Sequence, residues 1–251
     1  PQEPTEINYS EEEVTFKNMN GDMLAGTFTI PESGEYQYAA VLVSGSGPQN
    51  RDEELMDHKP FLVIADYLTQ SGIAVLRYDD RGVAQSGGEF STATSMDFAN
   101  DAESAVDYIV NRNDFKNAKV GIIGHSEGGL VAPIVASRRD LGFIVLMAGP
   151  GIEINKLMLE QNEAIMKSRG MDSIEIEKQL ISSNEIYNIL IQNSDDSKSE
   201  IEAKLMTYLD EDIKNMTEEE LAVLGDLETY KKTAIETLSS PWFREFIIFS
   251  P

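Results

Sequence analysis

The sequence predicts an α/β fold, in which a doubly wound, mostly parallel sheet is followed by an all-helical segment. Between residues 39 and 147, short apolar runs typical of strands buried on both faces alternate with segments whose apolar residues recur at helical spacing. Such alternation favours right-handed βαβ units with helices on both faces of one sheet. From residue 152 to about residue 240 the strand pattern stops, and Leu, Ile and Met recur at helical spacings.

A β-hairpin is predicted before the alternating region. Residues 1–11 are polar, so we expect a loose N-terminal segment there. Residues 14–18 and 24–30 then follow as two strands. Asn20-Gly21-Asp22 between them supplies residues that adopt positive φ, as a tight hairpin requires.

The alternating region supplies the rest of the sheet and the helices that cover it. The strands are predicted at residues 39–43, 73–78, 119–124 and 143–147, and the helices at residues 61–68, 102–109 and 128–137.

We expect three parts of the chain. Residues 1–151 form the core with its N-terminal hairpin, and residues 152–240 form a helical lid inserted over the carboxyl edge of the sheet. Residues 241–251 return towards the remainder of the core. The apolar run at residues 246–249 is expected to finish a helix rather than to start a central strand.

Composition restricts the partners. The formal net charge of −24 repels phosphate backbones and anionic lipid headgroups, so we expect neither nucleic acid nor a membrane as partner. With no cysteine, disulfides and thiolate metal sites are impossible, and we predict no metal and no organic cofactor. The chain starts at Pro1 without an initiator Met and without an apolar signal core, so either a leader was removed or the sequence was trimmed. We favour removal of a leader, and hence a periplasmic or secreted location over a cytoplasmic one.

The sharpest chemical signal is Gly124-His125-Ser126-Glu127-Gly128, a G-x-S-x-G between a predicted strand and a predicted helix. A turn this short strains the backbone at the serine and presents its hydroxyl above the sheet, while Gly124 and Gly128 allow neighbouring chain segments to approach. We therefore predict Ser126 as a nucleophile.

Ser44-Gly45-Ser46-Gly47-Pro48 directly follows the strand that ends at Val43. Acyl transfer needs a second backbone N–H aimed at the developing oxyanion, and it usually comes from the loop after this strand. We predict the amides of Ser46 and Glu127 as the two donors, with Gly45 and Gly47 allowing close approach. The alternative is an ordinary Gly/Ser turn.

Three charged residues, Asp79, Asp80 and Arg81, follow the strand at 73–78. An arginine between carboxylates typically organises loops by bidentate bonding, so we expect a supporting role here. Direct contact with a substrate is the alternative interpretation.

Both histidines of the chain, His58 and His125, precede Ser126. Adjacent side chains do not face each other, so we expect the His125 ring to point away from the serine hydroxyl. We expect His58 to be a hydrogen-bonded anchor of its loop.

These motifs resemble those of bacterial α/β-hydrolase-fold serine esterases, which are grouped with the serine aminopeptidase-like hydrolases. The resemblance covers about residues 12–151, and its motifs lie at residues 45–53, 58–61, 76–82 and 124–129, with a further similarity at 241–244. It implies a Ser–Asp–His hydrolase that acts on acyl esters, with Ser126 as nucleophile and the Ser46 and Glu127 amides as the oxyanion hole.

In this fold the acid and then the histidine follow the serine along the chain. No histidine follows Ser126, so we expect both residues beyond Pro251, in a C-terminal part of the core that this chain lacks. A C-terminal fragment of the same protein or a dimer partner would then cover the sheet edge. The alternatives are an inactive ligand-binding protein, a peptidase or thioesterase of the same fold, and a hydrolase that uses His58 or a lid carboxylate as base.

Overall fold

A computed structural model describes residues 3–32, 34 and 36–250 of the chain. Pro1, Gln2, Ser33, Glu35 and Pro251 lie outside the described residues, and with them parts of the predicted N-terminal and C-terminal segments. The described residues divide into two compact units, residues 1–150 and 151–251.

The first unit contains a six-stranded sheet and three helices. The strands are β1 (Tyr9–Lys17), β2 (Met23–Pro31), β3 (Tyr38–Val43), β4 (Ala74–Tyr78), β5 (Lys119–His125) and β6 (Ile144–Met147), and the helices are α1 (Pro60–Gln70), α2 (Ser95–Val110) and α3 (Gly128–Ala136). The strand order is β1-β2-β4-β3-β5-β6. β1, β2 and β4 pair antiparallel, whereas β4, β3, β5 and β6 pair parallel, so the predicted mostly parallel sheet is present.

The N-terminal hairpin forms as predicted, with Gly21 at φ 90° in its turn. The prediction of a loose segment over residues 1–11 is wrong for its last three residues, because β1 starts at Tyr9 and pairs with Pro31 at the end of β2. Tyr9 is buried and its hydroxyl donates to Asp66 Oδ1 at 3.0 Å. These long-range contacts order a stretch that is polar in sequence.

Helices cover both faces of the sheet. On one face, Phe61 and Ala65 of α1 pack against Leu42, Val75 and Ile123. On the other face, the small and apolar side chains of α2 and α3 share a larger cluster with the strands; the helical members are Ala99, Ala102, Ala105, Val106, Ile109, Val131, Ala132 and Val135. This two-sided burial explains why β3, β4 and β5 are apolar without alternation.

The strand β6 forms one edge of the sheet and differs from the other parallel strands. Its residues Ile144, Val145 and Leu146 are 38%, 44% and 45% exposed. Within the described residues β6 pairs with β5 alone. An apolar edge strand exposed in this way offers unpaired backbone groups to another strand.

Among its described residues the second unit contains helices and their connecting turns, and five of its six helices begin at a side-chain cap. The helices are α4 (Ile154–Ser168), α5 (Ser173–Gln192), α6 (Lys198–Lys214), α7 (Glu218–Leu224), α8 (Leu227–Leu238) and α9 (Pro241–Ile248). Ser197 and Thr217 form capping boxes at the starts of α6 and α7, which satisfy the first backbone amides of each helix. The run at residues 246–249 finishes a helix, as predicted.

The helical unit has its own packed interior. Ile201, Leu205 and Leu209 form the buried stripe of α6, at helical spacing. Tyr187 of α5 is buried, and its ring centroid lies 6.1 Å from that of Phe243 in α9. Among the helices described, none combines the length and the apolar character that crossing a membrane requires.

Candidate active site

Ser126 occupies a strained turn between β5 and α3. Its φ is 51°, a left-handed conformation that costs a non-glycine residue free energy. Two hydrogen bonds hold this conformation: the Ser126 N–H donates to Met147 O at 2.9 Å, and the Ser126 carbonyl accepts from the Gly129 N–H at 2.9 Å. The residue is half-buried, and its hydroxyl makes no hydrogen bond with any described residue. The turn therefore presents a hydroxyl without an internal partner.

The glycines on either side of Ser126 are required by close backbone contacts. A Cβ at Gly124 would overlap the carbonyl of Gly128. A Cβ at Gly128 would overlap the carbonyl of Val43 and lie 2.8 Å from the carbonyl oxygen of Ser44. The start of α3 is thus packed directly against the end of β3, where the predicted oxyanion loop begins.

The loop after β3 lies against the serine. A Cβ built on Gly45 would be 3.2 Å from the Cβ of Ser126. Gly47 has φ 95°, which glycine adopts without strain. Within the described part of the chain, the Ser46 N–H donates to no acceptor. The structure therefore places the loop that carries Ser46 beside Ser126.

Glu127 is the N-cap of α3, so its amide lies at the positive end of the helix dipole. Its side chain is buried, and Glu127 Oε1 accepts a 2.6 Å hydrogen bond from the Ser95 hydroxyl at the start of α2. This hydrogen bond fixes the Glu127 side chain. The position of the Glu127 amide is determined by the turn at Ser126.

Neither histidine bonds to the serine hydroxyl. The Nδ1 atom of His125 lies 2.7 Å from Glu53 Oε1, so this ring nitrogen is engaged by a carboxylate and not by the serine hydroxyl. His58 is held by its main chain, which exchanges two hydrogen bonds with Leu55 at 2.9 and 3.0 Å. The His58 side chain is exposed and bonds to none of the described residues, so the loop is anchored by the backbone and not by the imidazole.

Arg81 makes the bidentate contact that was predicted, but with partners from elsewhere in the chain. Its Nε and Nη2 atoms donate to the two carboxylate oxygens of Asp101 at 2.7 and 2.8 Å, and Nη1 donates to Asp97 Oδ1 at 3.3 Å. Both carboxylates belong to α2. Arg81 therefore joins the loop after β4 to α2.

Asp79 is buried, and it bonds to Arg51 rather than to Arg81. Arg51 Nε and Nη2 donate to Asp79 at 3.1 and 2.7 Å, and the Arg51 N–H donates to the same carboxylate at 2.8 Å. Burial opposes the ionisation of Asp79, but the hydrogen bonds from Arg51 outweigh it and hold the pKa of Asp79 below its usual value. This ion pair joins the loop after β3 to the end of β4.

Two carboxylates that the sequence analysis did not select also hold the site. Asp80 Oδ1 accepts from the Ser44 hydroxyl at 2.8 Å, and Asp80 Oδ2 accepts from the Gln49 N–H at 2.9 Å. Burial raises the pKa of Asp80 to about 7, aided by the nearby charges of Glu127 and Asp101. Glu53 is the second such residue, and it accepts from the Gly45 N–H. The only sequence signal for either was its position inside a motif run.

The described residues hold no group of three or more His, Asp or Glu side chains suited to a metal ion.

The described architecture is that of the α/β-hydrolases. A hypothetical protein from Pseudomonas aeruginosa, PA2218, superposes with a TM-score of 0.52 at 19% identity, over 68% of this chain and 57% of that chain. The Pyrococcus furiosus esterase Pf2001 superposes with a TM-score of 0.51 at 22% identity, over 63% of this chain and 57% of that chain.

Sequence similarity defines the family. Residues 59–225 match the family described as serine aminopeptidase, S33, and the chain belongs to this family. Esterase EstD of Thermotoga maritima is 32% identical over 154 residues. That alignment covers 61% of this chain and 36% of EstD, so the chain matches little more than a third of its relative's length.

Proposed function

We propose that the protein is a serine hydrolase that cleaves acyl esters through an acyl-enzyme on Ser126. The observation that carries this proposal is the strained Ser126 turn with the Gly45 loop packed against it. A positive φ at a non-glycine residue persists only where surrounding contacts enforce it, and such strain concentrates at functional sites. The family membership and the resemblance to EstD support the same chemistry.

The reaction would proceed in two steps. Ser126 Oγ attacks the ester carbonyl carbon while a base takes its proton, and the carbonyl π electrons move to oxygen. The amides of Ser46 and Glu127 donate to this oxyanion, and losing one such donor typically costs about 10²–10³ in rate. The oxyanion then collapses, the C–O bond to the alcohol breaks, and the base returns the proton to the leaving oxygen. Water attacks the acyl-enzyme in the same manner and releases the acid.

The base and its acid partner are proposed to come from polypeptide beyond Pro251. His125 is engaged with Glu53, and the exposed His58 ring bonds to no described residue, so neither is arranged as a base for Ser126. A following segment of the same protein, a C-terminal fragment or a dimer partner would supply the missing residues. The exposed apolar side chains of β6 support this proposal, since a further strand there would bury them.

Esters are proposed as substrates because EstD, which is 32% identical over 154 residues, is named an esterase. The family description names an aminopeptidase, which makes peptides the second candidate, and thioesters use the same chemistry. No cofactor is required by this mechanism. The acidic surface disfavours nucleic acid and anionic membranes as partners.

The test measures hydrolysis by the full-length polypeptide. We expect turnover of p-nitrophenyl acetate to exceed turnover of alanine p-nitroanilide, and Ser126→Ala to abolish both. Ser91→Ala, at an exposed serine in the same unit, serves as matched control and should retain the wild-type rate. A wild-type protein that is folded but hydrolyses neither substrate would favour the ligand-binding alternative.

The same assay decides the role of His58. The proposal predicts that His58→Gln leaves ester turnover unchanged, because the ring lies outside the hydrogen-bonded site. A loss comparable to that of Ser126→Ala would instead assign the base to His58.

A further inference from the structure

Glu53 joins the two backbone segments that meet at the candidate active site. It is 6% exposed, and its Oε1 atom accepts a hydrogen bond from the Gly45 N–H at 2.7 Å. The same oxygen lies 2.7 Å from His125 Nδ1. Because a carboxylate only accepts hydrogen bonds, Nδ1 of His125 must carry the hydrogen in this contact. One oxygen therefore bonds to the oxyanion loop and to the residue that precedes Ser126.

The hydrogen bond from the Gly45 N–H to Glu53 determines which backbone N–H of this loop remains available to a substrate. The Gly45 N–H is committed to Glu53, whereas the next amide, that of Ser46, donates to no described residue. A Cβ at Gly45 would lie 3.3 Å from Glu53 Oε1 and 3.2 Å from Ser126 Cβ. The carboxylate and the serine thus hold Gly45 between them, and the Ser46 amide follows immediately in the chain.

The backbone of Glu53 is itself fixed. It has φ 50°, and its N–H donates to Asn50 O at 2.9 Å. The two preceding residues each form an ion pair, Asp52 with Arg77 in β4 and Arg51 with Asp79 directly after β4. A strained residue that directly follows two ion-paired residues has little freedom to move, so its carboxylate is a rigid reference for the segments it contacts.

We propose that Glu53 is a positioning residue. Its carboxylate holds the loop that contains Gly45 and the His125–Ser126 turn in the relative position that an oxyanion hole requires. It acts through Gly45 and His125 and does not touch the substrate. This inference rests on the proposed hydrolase function. Oxyanion donors must lie within hydrogen-bonding distance of one oxygen, and a misplacement of about 1 Å can cost roughly 10²-fold in rate.

The test compares Glu53→Ala and Glu53→Gln in the full-length protein, with p-nitrophenyl acetate as substrate. Glu53→Ala removes both contacts, so we expect kcat to fall roughly 10- to 100-fold with KM changed less than about threefold. Glu53→Gln keeps an oxygen that accepts from Gly45 and should recover most of the loss. Glu54→Ala is the matched control, because Glu54 is exposed and its substitution leaves the backbone contacts in place.

A spectroscopic readout separates positioning from stability. In ¹⁵N-labelled protein, with His58→Gln used to assign the signals, we expect His125 to be protonated at Nδ1 in the wild type and to lose this preference in Glu53→Ala. A residue with a purely structural role would lower the melting temperature without changing kcat in the folded protein.

The outcomes are distinct for the two proposals. If Ser126→Ala abolishes turnover while folded Glu53→Ala keeps kcat within twofold of wild type, the positioning role is wrong and the hydrolase function stands. If Ser126→Ala retains turnover, the proposed function itself fails. Should Glu53→Ala not fold, His125→Ala replaces it, because it removes the contact with Glu53 from the other side. A fall in kcat in folded His125→Ala supports the positioning role, and a wild-type kcat contradicts it.

Discussion

Asp80 and Ser44 are joined by a 2.8 Å hydrogen bond at the point where the loop after β3 begins. The other carboxylate oxygen of Asp80 accepts from the Gln49 N–H at 2.9 Å, so this one buried side chain holds both ends of the loop that contains Ser46. The candidate oxyanion loop is therefore built on a buried acid that follows β4.

The first prediction concerns how stability depends on pH through Asp80. Burial raises the pKa of this carboxyl to about 7 in the folded protein, whereas the pKa of an aspartate in an unfolded chain is about 4. Between these values the folded state binds more protons, so the Asp80 contribution to the free energy of unfolding decreases as pH rises, by at most about 1.4 kcal/mol per pH unit.

Asp80→Asn should remove this contribution. In urea unfolding followed by circular dichroism, we expect the decrease in stability from pH 5 to pH 7 to be shallower for Asp80→Asn than for wild type. Asp140→Asn, at an exposed aspartate of the same unit, is the control and should follow the wild-type curve. Parallel curves for wild type and Asp80→Asn would show that this carboxyl does not titrate in that range.

The second prediction concerns Arg81. A lysine at this position supplies one point charge and cannot reproduce the two hydrogen bonds to Asp101. We expect Arg81→Lys to lower the free energy of unfolding by about 1–3 kcal/mol, measured from urea midpoints. Arg169→Lys, at an exposed arginine without an ion pair among the described residues, should change it by less than about 0.5 kcal/mol. Equal effects of the two substitutions would refute a bidentate contact.

The third prediction concerns Gly128. An alanine there would overlap the Val43 carbonyl, so the start of α3 would have to move away from β3. We expect Gly128→Ala to lower the free energy of unfolding by about 1–3 kcal/mol and to abolish ester turnover. Gly151→Ala is the control, since no atom lies within 4 Å of a Cβ at that position. Wild-type stability for Gly128→Ala would mean that this close contact is absent.

The fold was largely predictable because its signals are local. Strands buried on both faces, such as β3 and β5, are continuous apolar runs, and α2 repeats small and apolar residues at helical spacing. The start of β1 was missed because Tyr9–Glu11 is polar in sequence and is ordered by pairing with β2 and by the contact of Tyr9 with Asp66. Tertiary contacts of this kind leave no local pattern.

The candidate site was likewise predictable where its sequence signals are local and not where it depends on tertiary contacts. The Ser126 turn and the Gly45 loop were predicted from short motifs whose glycines are required by close backbone approach. The carboxylates that hold this turn and this loop were not predicted, because the partner of each one depends on distant segments of the chain. Arg81 bonds to Asp101 rather than to its sequence neighbours, and Glu53 reaches His125 across 72 residues. Residue type shows that a buried charge needs a partner, but only the fold shows which one.

The central claim, that Ser126 is the nucleophile, is tested most directly by covalent labelling. Incubation of the full-length protein with a fluorophosphonate, followed by proteolysis and mass mapping, should place the adduct on the peptide that contains Ser126, and Ser126→Ala should remove it. An adduct on any other residue, or equal labelling of Ser126→Ala, would contradict the account.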